Sequence, residues 1–175
     1  MSGKLQNGLV HIYTGTGKGK TTAAFGLALR AAGAGISVCI HQFIKGTPYS
    51  EDAIFKKIKN IRLRQCGRGC FIKGRPGPKD IACARKGLKR ARNDILSGRY
   101  GMVILDEANI ALKLRLIKTR DVIEIIKQRP SHVELVLTGR HCPRSLLRYA
   151  DVVTEMRKIK HPFDKGVPAR KGIEY

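Results

Sequence analysis

The stretch VHIYTGTGKGKTT, residues 10–22, constrains the fold of this chain more than any other segment. An apolar, β-branched run gives way to alternating glycines and then to Lys20, Thr21 and Thr22, which is the pattern of a buried strand, a tight loop and the start of a helix. Glycines let successive backbone N–H groups point into one concavity, and a helix N-terminus adds partial positive charge. The stretch therefore predicts a phosphate-binding loop.

The side chains of this loop predict that it binds a nucleotide together with Mg²⁺. Lys20 can reach phosphate oxygens, and the hydroxyl of Thr21 follows at the position that ligates Mg²⁺ in such loops. Thr14 stands where the usual pattern has its first glycine, which predicts a narrower or differently shaped cradle. The alternative is a glycine-rich turn that only connects a strand to a helix, and Lys18 either contacts phosphate or faces solvent. The expected nucleotide-binding residues are Gly15, Thr16, Gly17, Lys18, Gly19, Lys20, Thr21 and Thr22.

Strand-like and helix-like segments alternate along the rest of the chain. Apolar runs predict strands at residues 9–14, 37–44, 61–65, 102–105, 133–137 and 152–156, the third of them at a sheet edge. Apolar spacings of three and four, together with glycine and proline stops, predict helices at residues 20–32, 80–97, 119–128 and 143–149, the second with Asp80 as its N-cap. This alternation predicts one α/β domain over residues 1–175, with a mostly parallel sheet covered by helices on both faces.

Composition narrows the class of protein further. No stretch approaches the roughly 18 apolar residues of a membrane span, and the first residues lack the apolar segment of a secretory signal, so a cytoplasmic location is expected. Five irregularly spaced cysteines do not predict a structural zinc site and are interpreted as reduced thiols. A net charge of +22 favours polyanionic partners such as nucleic acid, but the basic residues are spread along the chain.

Two acidic residues and one arginine follow later strands. Asp106 and Glu107 end the strand in MVILDEAN, where a carboxylate can hold Mg²⁺ opposite Thr21. The spacing does not decide which of the two binds the ion, and Asp106 as a helix N-cap is the alternative. Arg140 ends the strand in LTGR, where it either reaches phosphate oxygens or faces solvent as a surface arginine.

Together these segments resemble the P-loop ATP:corrinoid adenosyltransferases. The resemblance rests on the segments GLVHIYTGTGKGKTTAAFGLALRAAG, QFIKG, VILDEAN, LTGR and MRKIKHPFDKGVPARKGIEY, which cover most of residues 8–175. It implies a three-layer, RecA-like P-loop NTPase fold. It also implies that ATP lies along the loop in the reverse sense, with its 5′-carbon facing the second substrate.

The resemblance implies a reaction and assigns roles to residues. Cobalt(I) of a reduced corrinoid attacks the 5′-carbon of ATP, and triphosphate leaves as a unit. Lys20 and Arg140 are expected on the phosphates, Thr21 and Glu107 on Mg²⁺, and Arg30 on the nucleotide. Phe71, the single aromatic residue of its loop, either displaces the lower axial ligand of the corrinoid or packs on the core. A flavoprotein electron donor and a homodimer are also implied.

Two other functions fit part of the sequence. The basic charge and the phosphate loop also suit a nucleic-acid-dependent ATPase, but the chain has few aromatic residues to stack on bases and no recognised binding module. A small-molecule kinase would need an acid to activate its acceptor, for which the sequence offers only Asp106 and Glu107.

Overall fold

The computed structural model describes residues 5–47, 49–67 and 74–175. Within them, six strands form one sheet in which every pairing is parallel. The elements are β1 (Val10–Thr14), α1 (Lys20–Gly33), β2 (Val38–Phe43), α2 (Ser50–Phe55), β3 (Ile61–Cys66), α3 (Pro78–Leu96), β4 (Met102–Asp106), α4 (Ala108–Lys113), α5 (Thr119–Gln128), β5 (Glu134–Thr138), α6 (Arg144–Leu147), β6 (Val152–Glu155) and a 3₁₀ helix (Pro162–Lys165). The predicted parallel α/β fold is confirmed, whereas its extent as one domain over residues 1–175 stays a prediction.

The strand order β3-β2-β4-β5-β1-β6 decides which loops meet. Strand β5 lies between β1 and β4, with Tyr13 opposite Thr138 and Leu105 opposite Leu137. Because all strands run in the same direction, the segments that follow β1, β4 and β5 emerge at one edge of the sheet, where ligands of such folds bind. The predicted edge position of β3 is confirmed.

Both faces of the central strands β2, β4 and β5 are buried, whereas the edge strands β3 and β6 are partly exposed. On one face, Val38 and Ile40 belong to a buried cluster with Ala24 and Ala28 of α1. On the other face, Cys39 belongs to a second buried cluster that includes residues of α3 and α5. Successive side chains of β2 therefore point into two different hydrophobic cores, and neither face of this strand is exposed to solvent. None of the helices in the described ranges combines the length and apolar character that a bilayer span requires.

Helix α3 begins earlier than its sequence predicted, so the prediction of Asp80 as N-cap was wrong. Pro78 occupies the first turn, where its missing N–H costs no hydrogen bond, and Gly77 is the N-cap. The Asp80 carboxylate instead reaches back from the third helical position and accepts the Gly77 N–H at 2.9 Å. The alternative of Asp106 as an N-cap is also wrong, because Asp106 ends β4 and Glu107 is the N-cap of α4.

A buried polar cluster lies between β2 and α3. His41 Nε2 is 3.1 Å from Asp94 Oδ2, and Cys39 Sγ is 3.5 Å from the same imidazole nitrogen. These three donor groups lie within 4.8 Å of one another. Asp94 also pairs with Arg64 at 3.0 Å and with Arg99 at 3.3 Å, so its negative charge is already balanced by two guanidinium groups. We therefore interpret the cluster as an ion-pair network that joins α3 to the sheet.

Stability is expected to fall with acid because of His41. Burial lowers the pKa of His41 to about 4, although Asp94 opposes this shift. The unfolded chain, with an ordinary histidine pKa near 6.5, therefore takes up the proton first as pH falls. The free energy of unfolding should decrease from about pH 6.5 to about pH 4, by up to roughly 1.4 kcal/mol per pH unit. In urea unfolding experiments across this pH range, the free energy of unfolding should change less steeply with pH for His41→Gln than for the wild type. Equal pH dependence in the two proteins would contradict the role of His41.

Candidate active site

The glycines of the loop after β1 are required by close packing as well as by backbone conformation. Gly15 and Gly19 have φ values of 96° and 111°, which other residues rarely adopt. A Cβ on Gly17 would lie 2.7 Å from the carbonyl oxygen of Arg157, and the Gly17 N–H donates to the Met156 carbonyl at 2.6 Å. The segment that follows β6 thus supports the loop from behind.

Lys20 is held inside the loop. Its side chain is buried, and Nζ donates to the Gly17 carbonyl at 2.5 Å. Burial lowers the pKa of Lys20, Arg140 lowers it further, and Glu107 opposes both. The charges of Arg140 and Glu107 therefore act on Lys20, and added negative charge beside Lys20 and Arg140 would be favoured.

Asp106 is the carboxylate that contacts the loop threonine. Its Oδ1 accepts hydrogen bonds from the hydroxyls of Thr21 at 2.8 Å and Thr138 at 2.7 Å. Its Oδ2 lies 3.2 Å from Lys45 Nζ and 3.5 Å from Gln42 Nε2. Asp106 is fully buried and surrounded by protein donors, which fixes the direction of the Thr21 side chain.

Glu107 lies beside this cluster but faces a different environment. It adopts a left-handed conformation with φ of 58°, and its side chain packs over Gly139, where a Cβ would come within 3.1 Å of Glu107 Oε2. Burial raises the pKa of Glu107 and Asp106 raises it further, while Lys45 lowers it. Glu107 also lines the neighbouring cavity. It is thus a carboxylate available to a ligand, whereas Asp106 is occupied by protein donors.

A cavity of about 970 Å³ opens next to the loop. Small-molecule sites span about 300–1,000 Å³, so this one lies at the upper end of that range. Its lining combines polar side chains, among them Thr21, Glu107 and Arg140, with apolar side chains of α1 and α2, including Phe25 and Ile54. The cavity therefore offers charged groups for phosphate and apolar surface for a large ligand.

Comparison with known proteins decides the family. A family model described as ATP:corrinoid adenosyltransferase BtuR/CobO/CobP matches residues 6–175. The chain belongs to this family. The corrinoid adenosyltransferase of Escherichia coli strain K12 is 35% identical to it over 170 residues, which cover 97% of this chain and 87% of that protein. A corrinoid adenosyltransferase of a Sinorhizobium species is 37% identical over 174 residues, with 97% and 81% covered.

A likeness in structure extends beyond the family. A KaiC-like protein from Pyrococcus horikoshii OT3 superposes with a TM-score of 0.57 at 16% identity, covering 89% of this chain and 76% of that one. At this identity the likeness concerns the fold alone. With the parallel sheet and the loop geometry, it confirms the predicted P-loop NTPase-like architecture. The chain is thus an adenosyltransferase of this architecture, with ATP and a corrinoid as its substrates.

The structure brings together most of the residues that the sequence singled out in this adenosyltransferase. Thr21, Thr22, Glu107 and Arg140 line the cavity, and the buried Lys20 feels the charges of Glu107 and Arg140 without lining it. Arg30 is exposed on the last turn of α1 and does not line the cavity, so its contact with nucleotide stays a prediction. Phe71 lies outside the described residues, and its role also stays a prediction.

Three residues of the site were not singled out from the sequence. Lys45 and Gln42 lie in QFIKG and Thr138 lies in LTGR, and all three contact the Asp106 carboxylate. Lys45 and Thr138 lie just beyond the carboxyl ends of predicted strands and Gln42 lies near the end of one, which was the available signal. Without the strand order, that signal could not pair them with Asp106.

Proposed function

We propose that this adenosyltransferase transfers the 5′-deoxyadenosyl group of ATP to cobalt(I) of a reduced corrinoid and releases triphosphate. The observation that carries the proposal is the junction of a phosphate loop, a carboxylate–threonine cluster and a large, partly apolar cavity. Cobalt(I) supplies the electron pair of the new cobalt–carbon bond. The bond between the 5′-carbon and the phosphate oxygen breaks, and triphosphate leaves with its electrons.

The chain's own residues have two tasks in this reaction. Cobalt(I) is already a strong nucleophile, so no general base is needed, and the protein must align the 5′-carbon and stabilise the leaving triphosphate. The loop amides and the buried Lys20 face the phosphates from one side, and Arg140 faces them from the cavity. Fixed positive groups of this kind stabilise charge that grows on the leaving group, since they need no reorganisation during the reaction.

The donor set beside the loop fits Mg²⁺. Oxygen ligands suit this ion, and the site offers the hydroxyl of Thr21 and the carboxylates of Glu107 and Asp106. Asp106 already accepts from Thr21, Thr138 and Lys45, so we assign Glu107 and Thr21 as direct ligands and Asp106 as the group that orients Thr21. When bound, Mg²⁺ supplies neutralising charge to the triphosphate.

Other features are proposed on the strength of the family. Reduction of the corrinoid requires an electron donor, for which a flavoprotein is proposed. A homodimer and a cytoplasmic location are proposed as well. The basic surface alone does not favour the nucleic-acid-dependent ATPase, because the phosphate loop opens onto a cavity with a large apolar side.

An anaerobic assay with ATP, Mg²⁺ and chemically reduced cob(I)alamin tests the function. We expect the absorbance of an adenosylated corrinoid to appear together with one triphosphate per ATP consumed. A reaction without the reductant is the control and should yield neither product. ADP and phosphate as products, or turnover that depends on added RNA or DNA, would contradict the proposal.

A further inference from the structure

Residues 170–175 form a tight turn that holds one carboxylate in place. The N–H of Glu174 donates to the Arg170 carbonyl at 2.9 Å, and Gly172 N–H donates to the Tyr175 carbonyl at 2.7 Å. The Glu174 side chain then turns back, because its Oε2 accepts the Arg170 N–H at 2.7 Å and its Oε1 lies 3.1 Å from the Arg170 guanidinium. The position of the Glu174 carboxylate is thereby set by its own segment.

The same carboxylate reaches the phosphate loop. Lys18 Nζ donates to Glu174 Oε1 at 2.6 Å, across 156 residues of sequence. The bonds from Arg170 and Lys18 lower the pKa of Glu174 to about 2, so it is ionised at neutral pH. The sequence allowed Lys18 either to contact phosphate or to face solvent. In the structure it is instead paired with an anionic side chain of a distant segment.

The other end of this turn forms a wall of the cavity. The Tyr175 carbonyl accepts the Ser50 hydroxyl at 2.9 Å, and the Tyr175 ring lies edge-on to Tyr49 with centroids 6.1 Å apart. Residues 172–175 line the cavity together with α2. Ile173 and Tyr175 nevertheless keep 57% and 43% of their surfaces exposed, so much of this wall faces solvent.

We propose that Glu174 pairs with Lys18 at the position where a phosphate group would otherwise bind. The triphosphate of ATP then displaces the Glu174 carboxylate from Lys18 and releases residues 170–175 from the loop. Phosphate oxygens and a carboxylate compete for the same ammonium group, and the triphosphate carries the greater negative charge. Like charges also repel, so Glu174 disfavours a triphosphate in the loop while it remains in place. Since residues 172–175 line the cavity, nucleotide binding then alters the wall of the space next to the phosphates. This inference rests on the proposed function.

The first test measures phosphate binding without any adenosyl transfer. Inorganic tripolyphosphate and ATP, each with Mg²⁺, are titrated calorimetrically into the wild-type chain, Glu174→Gln and Asp164→Asn. Asp164 is a matched control because it pairs with Lys158 at 2.8 Å in the same part of the chain, and its substitution changes the net charge equally. We expect Glu174→Gln to bind both ligands about three- to tenfold more tightly and Asp164→Asn to bind as the wild type does.

Unchanged or weaker binding by Glu174→Gln would overturn the proposal. An equal gain in affinity in both variants would also overturn it, because that result would indicate only an effect of net charge.

A second measurement uses the unaltered chain, with trypsin cleavage after Arg170 followed over time. Tripolyphosphate should accelerate cleavage, since residues 170–175 lose their bond to Lys18 of the loop and become more accessible to the protease. Protection of this bond would overturn the proposal. Both readouts are independent of adenosyl transfer, so a failure of the proposed reaction would be seen separately in the corrinoid assay.

Discussion

Replacement of Lys20 by methionine should lower kcat/KM for adenosyl transfer by about 10²–10³-fold. This is the usual loss when one preorganised group that stabilises developing charge is removed. Methionine keeps most of the length and packing of the buried side chain, so the substitution removes the charge and the bond to the Gly17 carbonyl but leaves the loop filled. Initial rates are measured anaerobically with cob(I)alamin while ATP is varied.

The exposed Lys86 on α3 provides a matched control for this variant. Lys86→Met makes the same chemical change far from the loop and should retain the wild-type kcat/KM. A loss of less than about threefold in Lys20→Met would contradict the role of Lys20 in stabilising the leaving group, because about 2.7–4 kcal/mol of stabilisation is expected from such a donor.

Replacement of Glu107 by glutamine should have an effect of similar size through the metal. The amide keeps the shape that packs over Gly139 but removes the charge that the cavity presents to a cation. We expect the Mg²⁺ concentration for half-maximal rate to rise at least about tenfold and kcat/KM to fall about 10²-fold. Direct binding of Mn²⁺ in the presence of ATP, followed by electron paramagnetic resonance, should weaken in parallel.

Two further variants test whether Glu107 or Asp106 is the direct metal ligand. Glu124→Gln on the exposed face of α5 is the control and should leave Mn²⁺ affinity unchanged. Asp106→Asn should lose stability as well as activity, by roughly 3 kcal/mol, because it leaves the mostly buried Lys45 ammonium without its partner. If Glu107→Gln kept its Mn²⁺ affinity while a folded Asp106→Asn lost it, the assignment of Glu107 as the direct ligand would be wrong.

Several local elements of this protein could not be predicted from its sequence. The residues of α2 and α4 form helices of six residues each, too short to be stable by themselves. They exist because the sheet buries Phe55 of α2 and Ala108 and Leu112 of α4. The predicted start of α3 was wrong for a different reason. Gly77 and Asp80 are both acceptable N-caps, and Pro78 favours the earlier boundary.

The sequence by itself determined the architecture and the chemistry of the phosphate loop. Strand-length apolar runs alternating with helical stripes allow little besides a covered parallel sheet, and glycines before Lys20 and Thr21 allow little besides a phosphate cradle. These features are local, because each is encoded within about twenty residues and depends on backbone geometry and side-chain periodicity.

Only the tertiary structure decided which distant groups share the site. Asp106 accepts hydrogen bonds from Thr21, 85 residues away in sequence, and from Lys45, 61 residues away. Lys18 bonds to Glu174 across 156 residues. These contacts follow from the strand order, which places β2 beside β4, β5 between β1 and β4, and β6 beside β1. Strand order arises from the packing of whole helices on both faces of the sheet, and a pattern read along one segment carries no record of it.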